Sequence, residues 1–298
     1  MIDNVLKSYL EHICGASNVR ENEPMSAHTT IRIGGPVRFY VTCTKKEILV
    51  RLISALKYIE YPYKVIGAGS NLLVNDNGYD GVIIRPIFCE IVENGNFIYA
   101  DAGAILSAVA KYAADKDLGG LEFACGIPGT VGGAVYMNAG AHGSSISNVV
   151  SIVDVLFNGE IISLDTSVCK FGYRTSIFQK KRDYIILGAY FFLQQSDKLE
   201  MLLLTQQYQE KRKKTQPKQP SAGSIFRNPP NMSAAKLIDD LGLKGCQIGG
   251  AAVSTVHANF IVDMGGATAR DVRRLVLYIR RLIKKTYGIT LRAEVDMI

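Results

Sequence analysis

Two glycine-rich breaks constrain this chain more than any other feature of it. The first, residues 67–71, reads GAGSN and interrupts VIGAGSNLLV between two apolar runs, each long enough for a short strand. The second, CGIPGTVGGAVYMNAGAHG at residues 125–143, has glycine at six of nineteen positions. Glycine lets the backbone take positive φ and approach another group closely, so a turn bare of side chains can aim successive N–H groups at one anion. The first break is not the common dinucleotide fingerprint: a third glycine and an immediate helix are missing, and LLV and DNGYDGVIIR read instead as strand, turn and strand. The second places Gly126, Gly129 and Gly132 in a Gly-x-x-Gly-x-x-Gly pattern. Val131 to Met137 is predicted to form a short helix, which would turn the N–H groups near Thr130 to Gly133 toward phosphate oxygens. Tight packing alone is the competing reading of either loop. Two such loops in one domain favour one extended dinucleotide ligand.

Composition narrows the class further. At 298 residues, with 48% apolar and 20% charged side chains, the chain has ordinary globular composition and length for about two domains. No apolar run approaches the roughly 18 residues that span a bilayer, so a cytoplasmic protein without a membrane partner is expected. The six cysteines are scattered, with no C-x-x-C and no histidine at metal spacing, which argues against disulfides and a zinc site. Net charge is +7, densest in EKRKKTQPKQP at residues 210–220. That run reads as a solvated helix end that can also steer a phosphorylated ligand. Basic residues are not interleaved with aromatics, so nucleic acid is not an expected partner.

Periodicity sets the organisation. Helices are predicted to about His12, in KKEILVRLISALKYI, in AILSAVAKYAADKDLGG, and from Lys198 to Lys214. Strands are predicted after Gly34-Gly35, near Gly81 to Arg85, and in NFIYADAG, VVSIVDVLF, EIISL and DYIILGAYFFL. Beyond the linker TQPKQP come a helix capped by Ser233, apolar GGAAVS and NFIVDM, and a basic helix TARDVRRLVLYIRRLIKKTYG. The fold class is α+β. The expected division is a lead-in at 1–27, a first domain at 28–195 and a smaller one at 196–298.

Six stretches in order, TTIRIGGP, GAGSNLLV, GIPGTVGGAVYMNAGAHG, FGYRTSIF, AGSIFRNP and GGAAVSTVHANFIV, resemble the UDP-N-acetylenolpyruvoylglucosamine reductase (UDP-N-acetylmuramate dehydrogenase) family, from about Pro24 to Glu294. The likeness is to its shorter form, since there is no room between Tyr173 and Ser224 for the extra tyrosine-bearing loop. The resemblance implies an FAD-binding domain of the p-cresol methylhydroxylase (vanillyl-alcohol oxidase) type, followed by a substrate-binding domain. It implies noncovalent FAD, NADPH as co-substrate and reduction of an enolpyruvyl double bond in peptidoglycan precursor synthesis, by a monomer without a metal. Another flavin oxidoreductase on the same scaffold, acting on a sugar or alcohol, is the alternative.

The resemblance also implies roles for residues. Gly67, Ala68, Gly69, Ser70, Asn71 and Leu72, with Pro128, Gly129, Thr130, Gly132, Gly133 and Ala134, would hold the cofactor. Arg174 would hold the substrate carboxylate, since a guanidinium stays charged and offers two parallel hydrogen bonds. Ser224 would protonate the α carbon; a free serine is a weak acid and needs a partner. Glu294 would assist, although the family's usual glycine after the final isoleucine is missing here. Tyr173, Arg227 and Asn228 would contact substrate, with Arg227 standing where a lysine is usual. Arg85 is either a flavin contact or a strand-end charge. His257 and Asn259 either touch substrate or cap a turn.

Overall fold

The apolar spacing of KKEILVRLISALKYI becomes the helix Lys46–Tyr58, which buries Leu49, Leu52, Ile53 and Leu56 on one face. The computed structural model describes residues 2–298 and divides them into two units of interleaved segments. The first unit takes the chain to residue 21 with 39–68 and 81–211, and the second takes 22–38, 69–80 and 212–298. Boundaries expected at 27/28 and 195/196 therefore describe stretches of sequence, while these units are discontinuous. Local hydrogen bonds show why. Gly35 N donates to Asn75 O at 2.9 Å, Thr30 N to Gly69 O at 3.2 Å and Asn75 N to Ile298 O at 2.7 Å, which ties 25–35 and 69–75 to the C-terminal segment.

In the first unit the strands predicted in NFIYADAG, VVSIVDVLF, EIISL and DYIILGAYFFL form an antiparallel sheet, joined by Ile91–Asn94, which carries no such expectation. Its order is Glu160–Asp165, Val150–Phe157, Ile185–Phe192, Phe97–Asp101, Ile91–Asn94. A second sheet runs Val19–Pro24, Pro36–Cys43, Tyr79–Pro86, Tyr63–Val65, with the last two parallel. The polar sequence VRENEP of Val19–Pro24 carries no strand signal, and neighbouring strands impose it. Helix Leu106–Asp115 buries Leu106, Val109, Ala110 and Ala113 in the core shared with Phe178 and Phe191.

In the second unit four short antiparallel strands lie in the order Ser221–Ser224, Phe260–Asp263, Ala251–Val253, Gln247–Ile248. The basic helix Ala269–Tyr287 buries Val272, Leu275, Val276, Ile279 and Ile283 in this unit's core. A Thr268–Asp271 capping box starts it and Gly288, at φ 71°, stops it. Asp76 reinforces the start by accepting from Ala269 N at 2.7 Å and Arg270 N at 2.9 Å. Among the described residues no helix is long and apolar enough to cross a membrane.

Candidate functional site

The first glycine loop begins where a parallel strand pair ends. Ile66 N still donates to Ile84 O at 2.9 Å; after it, the N–H groups of Gly67, Ala68 and Gly69 find no acceptor among the described residues. Gly69 is nevertheless buried, and a buried N–H without a partner is rare enough to ask for one. Its φ of 66° suits glycine, and a Cβ there would overlap the His28 carbonyl oxygen. The apolar runs on either side of the loop enter different sheets. Tyr63–Val65 pairs with Tyr79–Pro86, whereas Leu72–Leu73 pairs in parallel with Asp296–Met297.

In the second loop the predicted helix is present as Val131–Met137, N-capped by the Thr130 hydroxyl. Of the N–H groups near Thr130 to Gly133 expected to meet phosphate, those of Val131, Gly132 and Gly133 are already bonded within the protein. Val131 N donates to Ala104 O and Gly132 N to Ala102 O, both at 2.9 Å, and Gly133 N to Thr130 Oγ1 at 3.4 Å. Gly132 is glycine because a Cβ would stand 3.0 Å from Ala102 Cβ. The amides left without an acceptor lie one step earlier, at Gly129 and Thr130. The two loops meet within the first unit, where a Cβ on Gly67 would stand 2.6 Å from Thr130 Oγ1. Gly140 and Gly143 belong to neither function. They sit in the hairpin Gly140–Ala141/Ser144–Ser145, whose two turn residues, His142 and Gly143, take φ of 53° and 86°. Ala134 and Leu72 are buried, on the helix and on the strand after the first loop.

These unsatisfied amides are the observation against which FAD is tested. Gly67, Ala68, Gly69, Gly129 and Thr130 offer donors and bare backbone of the kind a diphosphate requires, so the residues fit the group.

Arg174 is at the tip of a tight turn closed by reciprocal bonds between Gly172 and Thr175, N to O at 3.0 and 3.1 Å. Its φ of 55° is uncommon for a side chain this long, and its surroundings hold it there. Gln179 Nε2 donates to Arg174 O at 3.0 Å and Asn138 Nδ2 to Gly172 O at 2.9 Å, while the Arg174 guanidinium donates to Gly140 O. Ser176 Oγ donates to Tyr136 O at 2.6 Å, fastening the next residues to the helix that the second loop begins. Tyr173 is exposed beside it, its ring centroid 5.3 Å from Arg174 Cζ.

In the second unit Ser224 ends the strand Ser221–Ser224, across from Phe260 after a register shift. Buried Asn259 splints the residues that follow: its side chain accepts from Phe226 N at 3.0 Å and donates to Phe226 O at 2.8 Å, and its carbonyl accepts from Ile225 N at 2.8 Å. The far edge carries Glu294, whose N–H donates to Ile225 O at 2.8 Å, while Arg227 N donates to Arg292 O at 3.0 Å. Ser224 and Glu294, 70 residues apart in sequence, are thus separated by one residue and one hydrogen bond. Asn71 joins from the other side, its Nδ2 donating to Glu294 O at 3.0 Å. Asn228 is exposed and uses its Oδ1 on Ala234 N at 3.0 Å, next to the Ser233 cap.

His257 caps its turn: its Nδ1 accepts from Asn259 N at 3.2 Å, and burial, with the nearby Lys244 charge, lowers its pKa. The side chain of Arg85, half-buried at the end of Tyr79–Pro86, makes no ion pair or hydrogen bond among the described residues. Sequence reasoning missed the support beneath the second loop. Lys46 Nζ lies 2.7 Å from both Asp101 Oδ1 and Tyr99 OH, and Asp101 Oδ2 accepts from Glu90 N at 2.9 Å. Asp101 is buried and directly precedes the Ala102–Ala104 ledge that receives Gly132 N and Val131 N. The Asp101 and Tyr99 bonds raise the Lys46 pKa against the opposing effect of burial, and burial raises that of Tyr99. No spacing rule links residues 46 and 101; only the sheet brings them together.

Residues 216–298 match the C-terminal domain family of UDP-N-acetylenolpyruvoylglucosamine reductase, and residues 37–165 match an FAD binding domain family. The UDP-N-acetylenolpyruvoylglucosamine reductase of Bacillus licheniformis is 44% identical over 301 residues, covering 100% of this chain and 99% of that protein. The protein of the same name from Anoxybacillus flavithermus is 43% identical over 284 residues, 94% of each. The crystal structure of UDP-N-acetylenolpyruvylglucosamine reductase from Thermus caldophilus superposes with a TM-score of 0.82 at 35% identity, over 94% of this chain and 99% of that one.

Proposed function

This chain belongs to the UDP-N-acetylenolpyruvoylglucosamine reductase family, and on that premise we propose that Arg174, Ser224 and Glu294 carry its chemistry. The reaction reduces the enolpyruvyl group of UDP-N-acetylenolpyruvoylglucosamine to UDP-N-acetylmuramate, a peptidoglycan precursor, at the expense of NADPH. Bound FAD supplies the hydride relay between the two substrates. Gly67, Ala68, Gly69, Gly129 and Thr130 offer backbone donors to its diphosphate. Ser70, Asn71, Leu72, Pro128, Gly132, Gly133 and Ala134 shape the same contact, Gly132 indirectly, by letting the second loop pack against Ala102.

Hydride added at the β carbon leaves carbanion character on the α carbon, beside a carboxylate. That charge needs a fixed cation and a proton source. Arg174 suits the first need because its turn is held at four points before any ligand arrives, so little reorganisation accompanies carboxylate binding. Ser224 suits the second as proton donor to the α carbon. The observation that carries this assignment is the pairing of Glu294 N with Ile225 O, which puts a carboxylate-bearing residue beside the segment of a weakly acidic hydroxyl. Glu294 then assists the intermediate directly or by relaying a proton to it through Ser224 or a water. Tyr173, Arg227 and Asn228 take the sugar and diphosphate of the substrate, Arg227 keeping the charge of the more usual lysine.

The cytoplasm is the compartment this reading requires, since both substrates are charged nucleotides that do not cross a bilayer. Anaerobic mixing with NADPH and then with the enolpyruvyl nucleotide sugar tests the roles. Ser224→Ala should still bleach the flavin with NADPH but form product about 100-fold more slowly or worse, the usual scale for loss of an acid. Equal loss in both half-reactions overturns the assignment.

A further inference from the structure

We propose that Asn71 is a positioning residue for Glu294, so that the first glycine loop and the carboxylate of the second half-reaction are held as one piece. The inference rests on the role given to Glu294 above. Leu72–Leu73 and Asp296–Met297 form a parallel pair in which Asp296 N donates to Asn71 O and Ile298 N to Leu73 O, each at 3.0 Å. Asn75 N closes the far end on Ile298 O at 2.7 Å. At the near end Gly69, at φ 66°, turns the chain away from the pair. There the Asn71 carboxamide reaches across and donates to Glu294 O at 3.0 Å. Glu294 is therefore held on both sides of its own backbone, N–H by Ile225 and C=O by Asn71. Those two bonds fix the stretch of backbone from which the carboxylate-bearing side chain departs.

The residue type is specific to the task. A serine at 71 is too short to reach the carbonyl, and an aspartate would set an oxygen against an oxygen. Loss of this one bond should slow reoxidation of the reduced enzyme by the enolpyruvyl nucleotide sugar about tenfold, the usual worth of a single hydrogen bond. The loss acts through Glu294, so it should largely vanish when the carboxylate is already gone.

The test is a double-mutant cycle of Asn71→Ala and Glu294→Ala in FAD-saturated enzyme, read as the single-turnover rate of reoxidation, with NADPH reduction measured alongside. The expected result is a slower reoxidation for Asn71→Ala in the parent and little further loss in Glu294→Ala, with reoxidation hit harder than reduction. The same factor in both backgrounds, or equal loss in both half-reactions, overturns the proposal and leaves Asn71 a merely structural or cofactor contact. Asn71→Ser is the second variant should Asn71→Ala fail to fold, and Asn71→Asp should be slower than either. Glu294→Ala reoxidised at the parental rate refutes the role of Glu294 itself; a slow Glu294→Ala with an additive cycle refutes only the coupling.

Discussion

The two glycine loops look alike in sequence and differ in what their backbones do. Residues 67–69 leave three successive amides without an acceptor, whereas residues 131–133 use theirs on Ala104, Ala102 and Thr130. Gly69 is required by a positive φ and by the His28 carbonyl; Gly132 has an ordinary helical backbone and is required only by its distance to Ala102. Glycine density therefore marks close approach of backbone, and the identity of what is approached differs from loop to loop. In the first loop the described residues supply no acceptor for the amides of residues 67–69. In the second the acceptor is mostly the protein's own ledge, with Gly129 and Thr130 as the exceptions.

The largest effect that would break this comparison is expected at Gly69. Gly69→Ala combines a left-handed backbone with a steric overlap and should cost roughly 4 kcal/mol and the bound flavin, seen as a lowered Tm and a colourless eluate. Retention of flavin at parental affinity would mean that the first loop does not serve the cofactor. Next comes the ledge: Asp101→Asn removes the charge paired with Lys46 and should cost about 2 kcal/mol, less than a fully buried pair because Lys46 is 27% exposed. Its flavin affinity should fall less than that of Gly69→Ala, and a larger fall would shift the weight to the second loop. Thr130→Val keeps shape and N–H but loses the cap on Gly133, for about 1 kcal/mol by chemical denaturation. Gly132→Ala should be the mildest, since a helix-propensity gain of about 1 kcal/mol offsets the contact with Ala102. Flavin titration should return the parental Kd for that variant, and its loss would make the second loop a ligand-binding loop like the first.

Much of this was legible beforehand. The helix Val131–Met137, the Ser233 cap and the amphipathic helix Ala269–Tyr287 follow from short-range rules, because the partners of a cap or a helical face are three or four residues away. The α+β class followed from the same periodicities. What escaped were contacts between distant residues: Val19–Pro24 as a strand, Lys46 against Asp101, Asn259 bracing Phe226, and the sheet exchange across GAGSN. The amides of Gly132 and Gly133 read as phosphate donors because a helix N-terminus normally offers them, and nothing local reveals that Ala102 O takes the first, while the Thr130 hydroxyl takes the second.

The sequence by itself determined where backbone is bare enough to meet a diphosphate, and its motifs, through the resemblance they carry, singled out Arg174, Ser224 and Glu294 as the residues proposed to do chemistry. Tertiary structure alone decided which amides stay open and that Asn71, Glu294 and the Ser224 segment share one hydrogen-bonded edge. The reason is directional. A hydrogen bond is set by where two backbones meet, and that depends on the packing of whole segments rather than on the residues beside it in the chain.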